Sequence, residues 1–447
     1  MKIIIAGAGD VGYHLAELLS KENQDIFLID KNEDVLNTAA NRLDIKTFEG
    51  DSTSITILEN AGAQEADLLL AVTTSEKINI LTAILAKQLG TKTTIARVSN
   101  QEYISEKQKK AFAGLGVDTL ISTQELASKE ILRLLQQGSF TDIFEFEGGL
   151  LNLVGFSLDE FSPLVNINIG DIPELKGKNC YKPIAILRGN TTIIPKPHTT
   201  LRRNDHLYFI SKKEEVEKLV EIFGKKQVRV KQVMILGGTE LAYNTAKMLL
   251  GKYRVSLVEA DKEKAKQLSD KHDDLLVLNF SPSRTDLLES EGLNNMDAFI
   301  ALTPNSEINI ITSLTAKNHG VYKTIAQVDN KEYTHISQNI GVDTLINKKL
   351  IAANNIFRFV RKGRIEAITS LHGVDAEVIE FSVGEHSELL NGSLNCHEFP
   401  EKALIGGVIR GTESLIPNGE FQLQVNDKVI IFAMPDAIPK VEKLFER

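Results

Sequence analysis

Along the chain, short runs of consecutive apolar residues alternate with longer stretches in which apolar residues recur every three or four positions. The runs are Lys2–Ala6, Ile26–Asp30, Ile45–Glu49, Leu68–Thr73, Thr94–Val98 and Val117–Ile121. Uninterrupted runs of this length predict strands buried on both faces of a parallel sheet. The helical period occupies the stretches between them: Tyr13–Lys21, Asn32–Arg42, Ile55–Ala61, Glu76–Leu89 and Tyr103–Phe112. In the first of these, Leu15, Leu18 and Leu19 share one face. Thr123–Gln137 is a further amphipathic helix. Strands alternating with helices predict a six-stranded, doubly wound parallel sheet.

The pattern then changes. Phe144–Tyr208 has shorter apolar runs and more Pro and Asn, with no long helical stretch before Lys212–Phe223. It reads as a small, separate α+β domain, followed by a basic linker, Gly224–Lys231. After the linker the whole plan repeats. Ala66–Thr73 recurs as Met296–Thr303, Ile95-Ala96-Arg97-Val98 as Ile325-Ala326-Gln327-Val328, and Glu102-Tyr103 as Glu332-Tyr333, all at one offset. Gly116–Ile121 recurs unchanged as Gly341–Ile346. In the small domains Arg188, Pro195 and Asp205 match Arg410, Pro417 and Asp427 with the same spacings. A repeat on this scale marks a duplicated two-domain unit. The expected fold class is α/β, with two Rossmann-like doubly wound parallel-sheet domains, each followed by a small α+β domain. The expected boundaries are 1–138, 139–224, 231–362 and 363–447.

The chemistry concentrates at the first turn. Gly7-Ala8-Gly9-Asp10-Val11-Gly12 follows the first strand and opens the first helix, the setting a dinucleotide fingerprint requires. Gly7 permits the tight turn, Gly9 lets the backbone approach a pyrophosphate, and Gly12 lets the helix pack on the strand. The phosphates would sit at the positive end of the helix. Asp30, at the end of the second strand, is placed to hold ribose hydroxyls and to repel a 2′-phosphate. Asp51 reads as an adenosine or ribose contact, and Arg97 as a cation that neutralises phosphate. Asp10 reads as an ordinary acidic residue of a first helical turn.

The second half keeps the frame and loses the groups. Gly237 retains the first glycine, but Thr239 stands where Gly9 stands and Ala242 where Gly12 stands. Glu259 can still serve as the ribose acid. Gly50-Asp51 becomes Phe280-Ser281, and Arg97 becomes Gln327. The second site is expected to be weakened or lost.

Composition narrows the function classes. A net charge of −9 argues against a nucleic-acid partner, which needs clustered cations. No apolar run approaches the about 18 residues of a membrane span. The first strand begins at Lys2 and leaves no room for a signal peptide, so Cys180 and Cys396 read as reduced thiols in a cytoplasmic protein. No histidine or cysteine spacing suggests a metal site, and His198 reads as a loop residue. The chain thus carries a nucleotide cradle with no catalytic group recognisable beside it.

On the residues Gly7–Gly12 with Asp30, on Asp67–Thr73, on Ile95–Val98 and on the Arg–Pro–Asp frame, the chain resembles the RCK/KTN family. Its members regulate potassium channels and transporters, and the resemblance is to the Trk-system branch. It implies the order N-type, C-type, N-type, C-type, with RCK N-type nucleotide-binding domains and RCK C-type small domains. It implies NAD(H) or ATP/ADP as regulatory ligand, held by Gly7, Ala8, Gly9, Asp10 and Val11, with Asp30 on the ribose, Thr73 and Thr74 lining the pocket, and Arg97 on phosphate. It implies a homo-oligomer, a tetramer whose N-type domains form a ring through Glu102–Phe112 and Thr123–Gln137. It also implies a potassium-translocating membrane subunit of a Trk-type system as partner, and peripheral attachment to the inner face of the membrane. The departures at Thr239, Phe280, Ser281 and Gln327 bear on the second site. The rival expectation is an NAD-dependent dehydrogenase with substrate on the small domains. That would need an acid/base group facing the nicotinamide, for which residues 144–223 offer only His198 and His206 as histidines.

Overall fold

The structure is a computed structural model that describes every residue except 21–23, 137–141, 159–161, 173–179, 190, 225–229, 282–283, 331–340, 362–364, 371–375 and 446–447. The Glu332-Tyr333 repeat, the ends of the predicted helices at Lys21 and Gln137, and most of the basic linker lie outside the described residues. The chain gathers into two compact units. One comprises Met1–Glu130, Thr239–Met248 and Ile346–Val360; the other comprises Ile131–Gly238, Leu249–Leu345 and Arg361–Arg447.

The first unit is built on β1 (Lys2–Ala6), β2 (Asp25–Asp30), β3 (Lys46–Glu49), β4 (Leu68–Ala71), β5 (Thr93–Val98) and β6 (Thr119–Ser122). These form one parallel sheet in the order β3-β2-β1-β4-β5-β6. Ile3, Ile4 and Ile5 of the central strand have no exposed surface, as a strand covered on both faces requires. The helices are α1 (Asp10–Ser20), α2 (Glu33–Ala40), α3 (Ile55–Asn60), α4 (Glu76–Leu89), α5 (Glu106–Gly114) and α6 (Thr123–Gln136). The order reverses between β1 and β4, which opens a crevice at their carboxyl ends.

The fifth helix starts later than its pattern predicts. Asn100 Oδ1 accepts from the Glu102 N–H and sets a separate turn over Gln101–Ile104. The sixth strand is also displaced, because the Asp118 carboxylate accepts from the Thr94 N–H at 2.8 Å and the chain joins the sheet only beyond it.

Two helices from the second half of the sequence belong to this unit: α8 (Glu240–Leu249), all but its last residue, and most of α12 (Lys348–Arg361). Thr245 Oγ1 of α8 donates to Ser128 Oγ of α6 at 3.2 Å. Ala353, Ile356 and Phe357 of α12 join the apolar cluster of Val11, Leu15 and Leu19. Burial of the two larger side chains alone contributes about 1.5–3 kcal/mol each.

The second unit holds a six-stranded parallel sheet of the same topology. Its strands are β12 (Gln232–Leu236), β13 (Arg254–Glu259), β14 (Leu276–Asn279), β15 (Ala298–Ala301), β16 (Lys323–Gln327) and β17 (Thr344–Ile346), in the order β14-β13-β12-β15-β16-β17. It also holds two small antiparallel sheets. One has β7 (Asp142–Phe146), β8 (Leu151–Ser157), β9 (Tyr181–Arg188), β10 (Thr191–Ile193) and β11 (His206–Lys212), ordered β10-β9-β11-β8-β7. The other has β18 (Ile365–Ser370), β19 (Glu377–Ser382), β20 (Ala403–Arg410), β21 (Glu413–Leu415) and β22 (Lys428–Ala433), ordered β18-β19-β22-β20-β21.

These two sheets share a core. Leu207–Ile210 are four consecutive apolar residues in β11, so both faces of that strand need cover. Phe146, Leu151, Leu153 and Ile210 pack with Val378, Ile409, Ile430 and Phe432 in one core. The Arg–Pro–Asp frame proves to be structural. Arg188 donates from Nε and a terminal nitrogen to the buried Asp205 carboxylate at 2.8 and 2.7 Å, and Arg410 does the same to Asp427. Each pair raises its arginine's pKa through that hydrogen bonding, and each arginine also holds a loop carbonyl, Thr200 or Gln422.

Candidate nucleotide site

The β1–α1 turn builds the site. Gly7 has φ +107, a conformation open to glycine, and a Cβ there would press on the Thr73 backbone at about 3 Å. A Cβ on Gly12 would run into the Gly7 carbonyl oxygen, so α1 lies against the turn at van der Waals limit. Gly9 is the opposite case: a Cβ there meets nothing within 4 Å. The emptiness beside Gly9 is part of a cavity of about 580 Å³, a size that suits a nucleotide.

Gly7, Gly9, Asp10, Val11, Asp30, Thr73, Thr74 and Arg97, all predicted, wall this cavity. Ala8 and Gly12 are buried in the packing beneath it. Asp30 is oriented by the backbone: Oδ2 accepts from the Ala8 N–H at 2.6 Å, and Oδ1 from the Asn32 N–H at 2.9 Å. A carboxylate oxygen has two acceptor directions, which leaves capacity for ribose hydroxyls.

Asp51 is not among the walls, although its neighbours Gly50 and Ser52 are. Its Oδ1 accepts from the Thr53 N–H and hydroxyl at 2.9 and 2.8 Å, and its Oδ2 pairs with Lys31 at 2.9 Å. The Thr53 backbone bond, then Lys31, hold its carboxyl down to about 2. The reason is local: an Asp two residues before Thr closes its own turn. Lys31, which it holds, is the residue that reaches the cavity.

Thr73 and Arg97 are placed by a residue that sequence reasoning missed. Asn79 of α4 is buried. Its Oδ1 accepts from the Thr73 N–H and hydroxyl, and its Nδ2 donates to the carbonyls of Thr73 and Arg97. The signal was available, because Asn309 recurs at the same offset and makes the same bonds to Thr303 and Gln327. The Arg97 guanidinium is half-buried, and burial alone pushes its pKa down from the usual value. Lys348 and Lys349 of α12 also line the cavity, and no periodicity foretold them. The walls thus carry four cations, Lys31, Arg97, Lys348 and Lys349, against the carboxylates of Asp10 and Asp30. In a chain of net charge −9 this is a local basic site, fitted to a polyanion.

The second half reproduces the frame. Gly237 has φ +97 over Thr303. Glu259 accepts from the N–H groups of Gly238 and Asp261, both at 2.8 Å, as Asp30 does from Ala8 and Asn32. The ligand-facing groups differ. The Thr239 hydroxyl accepts from the Ala242 N–H at 3.2 Å and takes up a helix-terminal donor. Gln327 is buried, whereas Arg97 is half-buried and lines the cavity. Phe280 turns into the apolar cluster of Leu236, Val258 and Leu288. Among the described residues no group of His, Cys, Asp and Glu is placed to hold a metal ion, and His198 lies in an exposed turn.

Comparison with known proteins gives the same order of domains. Residues 3–123 and 233–348 match the TrkA-N domain family, and residues 153–224 and 378–446 match the TrkA-C domain family. The chain is 33% identical to the "Trk system potassium uptake protein TrkA homolog 1" of Methanosarcina mazei, over 100% of both chains. Among solved structures it is similar to the GsuK RCK domain, with a TM-score of 0.59 at 15% identity over 99% of this chain and 94% of that one. It is equally similar to the GsuK channel bound to NAD, with a TM-score of 0.59 at 15% identity over 99% of this chain and 78% of that one.

Proposed function

The chain belongs to the TrkA family, and on that footing we propose that it is a nucleotide-sensing regulatory subunit of a Trk-type potassium uptake system. The observation that carries this reading is the cavity at the β1–α1 turn: open space beside Gly9, a backbone-oriented Asp30, and four cations around two carboxylates. Gly7 to Val11 would cradle phosphates, Asp30 would hold the ribose, Thr73 and Thr74 would line the pocket, and Arg97 would neutralise charge. NAD(H) and the adenine nucleotides ATP and ADP fit this donor set. The GsuK channel, of like fold, is solved with NAD bound, which supports a dinucleotide here. The second Rossmann-like domain, with Thr239 and Gln327, keeps the fold and holds no tight nucleotide.

The chain acts as a switch and not as a catalyst. A ligand shifts a protein only by binding its arrangements unequally. Among the described residues no helix is long and apolar enough to cross a membrane, so attachment to the inner face of the membrane would come through a potassium-translocating partner. Leu81 of α4, Leu115 just after α5 and Ile311 of α11 (Ser306–Asn318) are large apolar residues exposed by about half. Leu81 and Ile311 are equivalent in the repeat, and such residues support association of N-type domains into a ring of four chains.

The expected result is that the purified chain scatters light as a tetramer at micromolar concentration and co-purifies with a Trk-type membrane subunit expressed beside it. A stable monomer that captures no such subunit contradicts the reading.

A further inference from the structure

The ribose edge of the cavity carries one basic side chain among acids. Residues 30–35 read Asp-Lys-Asn-Glu-Asp-Val, so Lys31 is the single cation between the ribose acid and the first turn of α2. Lys31, Asn32 and Val35 all line the cavity. A dinucleotide phosphorylated on its ribose 2′-oxygen brings a dianion to this edge, and a site that accepts one needs a cation nearby. Helix α2 offers that dianion nothing. Asn32 Oδ1 already accepts from the Asp34 and Val35 N–H groups, at 2.9 and 3.4 Å, and Glu33 and Asp34 make the first turn acidic. Recognition of a 2′-phosphate would therefore fall to Lys31.

Lys31 is engaged elsewhere. Its Nζ lies 2.9 Å from Asp51 Oδ2, and Asp51 is itself anchored, because its Oδ1 accepts from both the N–H and the hydroxyl of Thr53. The sheet brings the two together. Asp30 lies opposite Glu49 where β2 pairs with β3, and the Gly50 N–H donates to the Asp30 carbonyl at 2.9 Å, so Lys31 and Asp51 follow the ends of neighbouring strands. The fold does not depend on this pair. Its side chains are 63% and 43% exposed, and an ion pair that open adds little to stability. The second half confirms the independence. There Ala260 follows Glu259 where Lys31 follows Asp30, and Ser281 stands where Asp51 stands. Glu259 nevertheless keeps its bonds to the Gly238 and Asp261 N–H groups, and β13 still pairs with β14. Both members of the pair are missing where Arg97 and Gly9 are also missing, which ties the pair to the ligand.

We propose that Asp51 is a specificity-determining residue, which holds Lys31 away from the ribose 2′-oxygen and so denies a 2′-phosphate the cation it needs. The proposal rests on the nucleotide reading above and adds to it the class of dinucleotide taken, one with a free 2′-hydroxyl. Asp30 repels a 2′-phosphate directly. Asp51 acts through Lys31, by occupying the one side chain that could offset that repulsion.

The test is calorimetric titration of the full chain with NAD and NADP, for wild type, Asp51→Asn, Asp51→Glu and the double variant Asp51→Asn/Lys31→Gln. The readout is the ratio of NADP to NAD affinity, which a merely structural role for Asp51 would not move. Wild type should favour NAD by about a hundredfold. Asp51→Asn should raise the ratio about tenfold through tighter NADP, the scale of one charge-assisted bond. Asp51→Glu, which can still hold the lysine, should stay within about threefold of wild type, and so should the double variant, because the gain runs through Lys31. A gain that persists in the double variant would mean that Asp51 only repels phosphate. A ratio unmoved in Asp51→Asn, or moved by loss of NAD, would mean that Asp51 does not govern Lys31. Each of these results overturns the proposal and leaves the nucleotide site standing, as does wild type binding NADP as tightly as NAD. Failure of wild type to bind either dinucleotide overturns the nucleotide reading and the proposal with it.

Discussion

Gly9→Val is expected to leave the chain folded and to abolish nucleotide binding. A Cβ at Gly9 meets no atom within 4 Å, and its φ lies outside the left-handed region, so the added side chain costs the fold within about 0.5 kcal/mol. The space it fills is the one through which a pyrophosphate would approach the backbone. Loss of that approach, with the first-turn donors of α1 screened, should weaken binding a hundredfold or more, about 2.7 kcal/mol. Wild type should take up about one NAD per chain by calorimetry, and Gly9→Val none in the same range. Binding that survives in the variant, or two equal sites in wild type, would show that the second cradle also holds ligand in spite of Thr239 and Gln327.

Three residues away the same substitution should have the reverse effect. A Cβ at Gly12 strikes the Gly7 carbonyl oxygen and lies 3.3 Å from a Val72 methyl. Both are fixed: Gly7 donates its N–H to the Ile29 carbonyl at 2.8 Å, and Val72, just after β4, has 4% exposure. Relief requires α1 to move off the sheet, and α1 shares its apolar cluster with Ile356 and Phe357 of α12. Overpacking of this kind costs about 3 kcal/mol or more. Urea unfolding of Gly12→Val should show a midpoint well below that of wild type. A midpoint equal to that of wild type would mean that the turn is not packed as described.

What was legible in the sequence was what short-range chemistry dictates. Three consecutive isoleucines can be buried only in a covered strand, and G-x-G-x-x-G between strand and helix has one economical use. The repeat then gave the second half from the first. The misses are equally physical. The charge of Asp51 does not reveal that it also closes a turn at Thr53 and grips Lys31. The start of the fifth helix moved because Asn100 caps a separate turn. Lys348 and Lys349 lie more than 300 residues from Gly9 in sequence, and only tertiary packing of α12 on α1 brings them to the cavity.

The most direct measurement of the regulatory role is potassium flux into vesicles that carry a Trk-type membrane subunit, with the full chain bound outside and NAD added or withheld. If the chain is a nucleotide-sensing subunit, NAD changes the flux several-fold with wild type, and the change disappears with Gly9→Val although that variant still binds the vesicles. The same flux with and without NAD, or the same response in wild type and Gly9→Val, would contradict it.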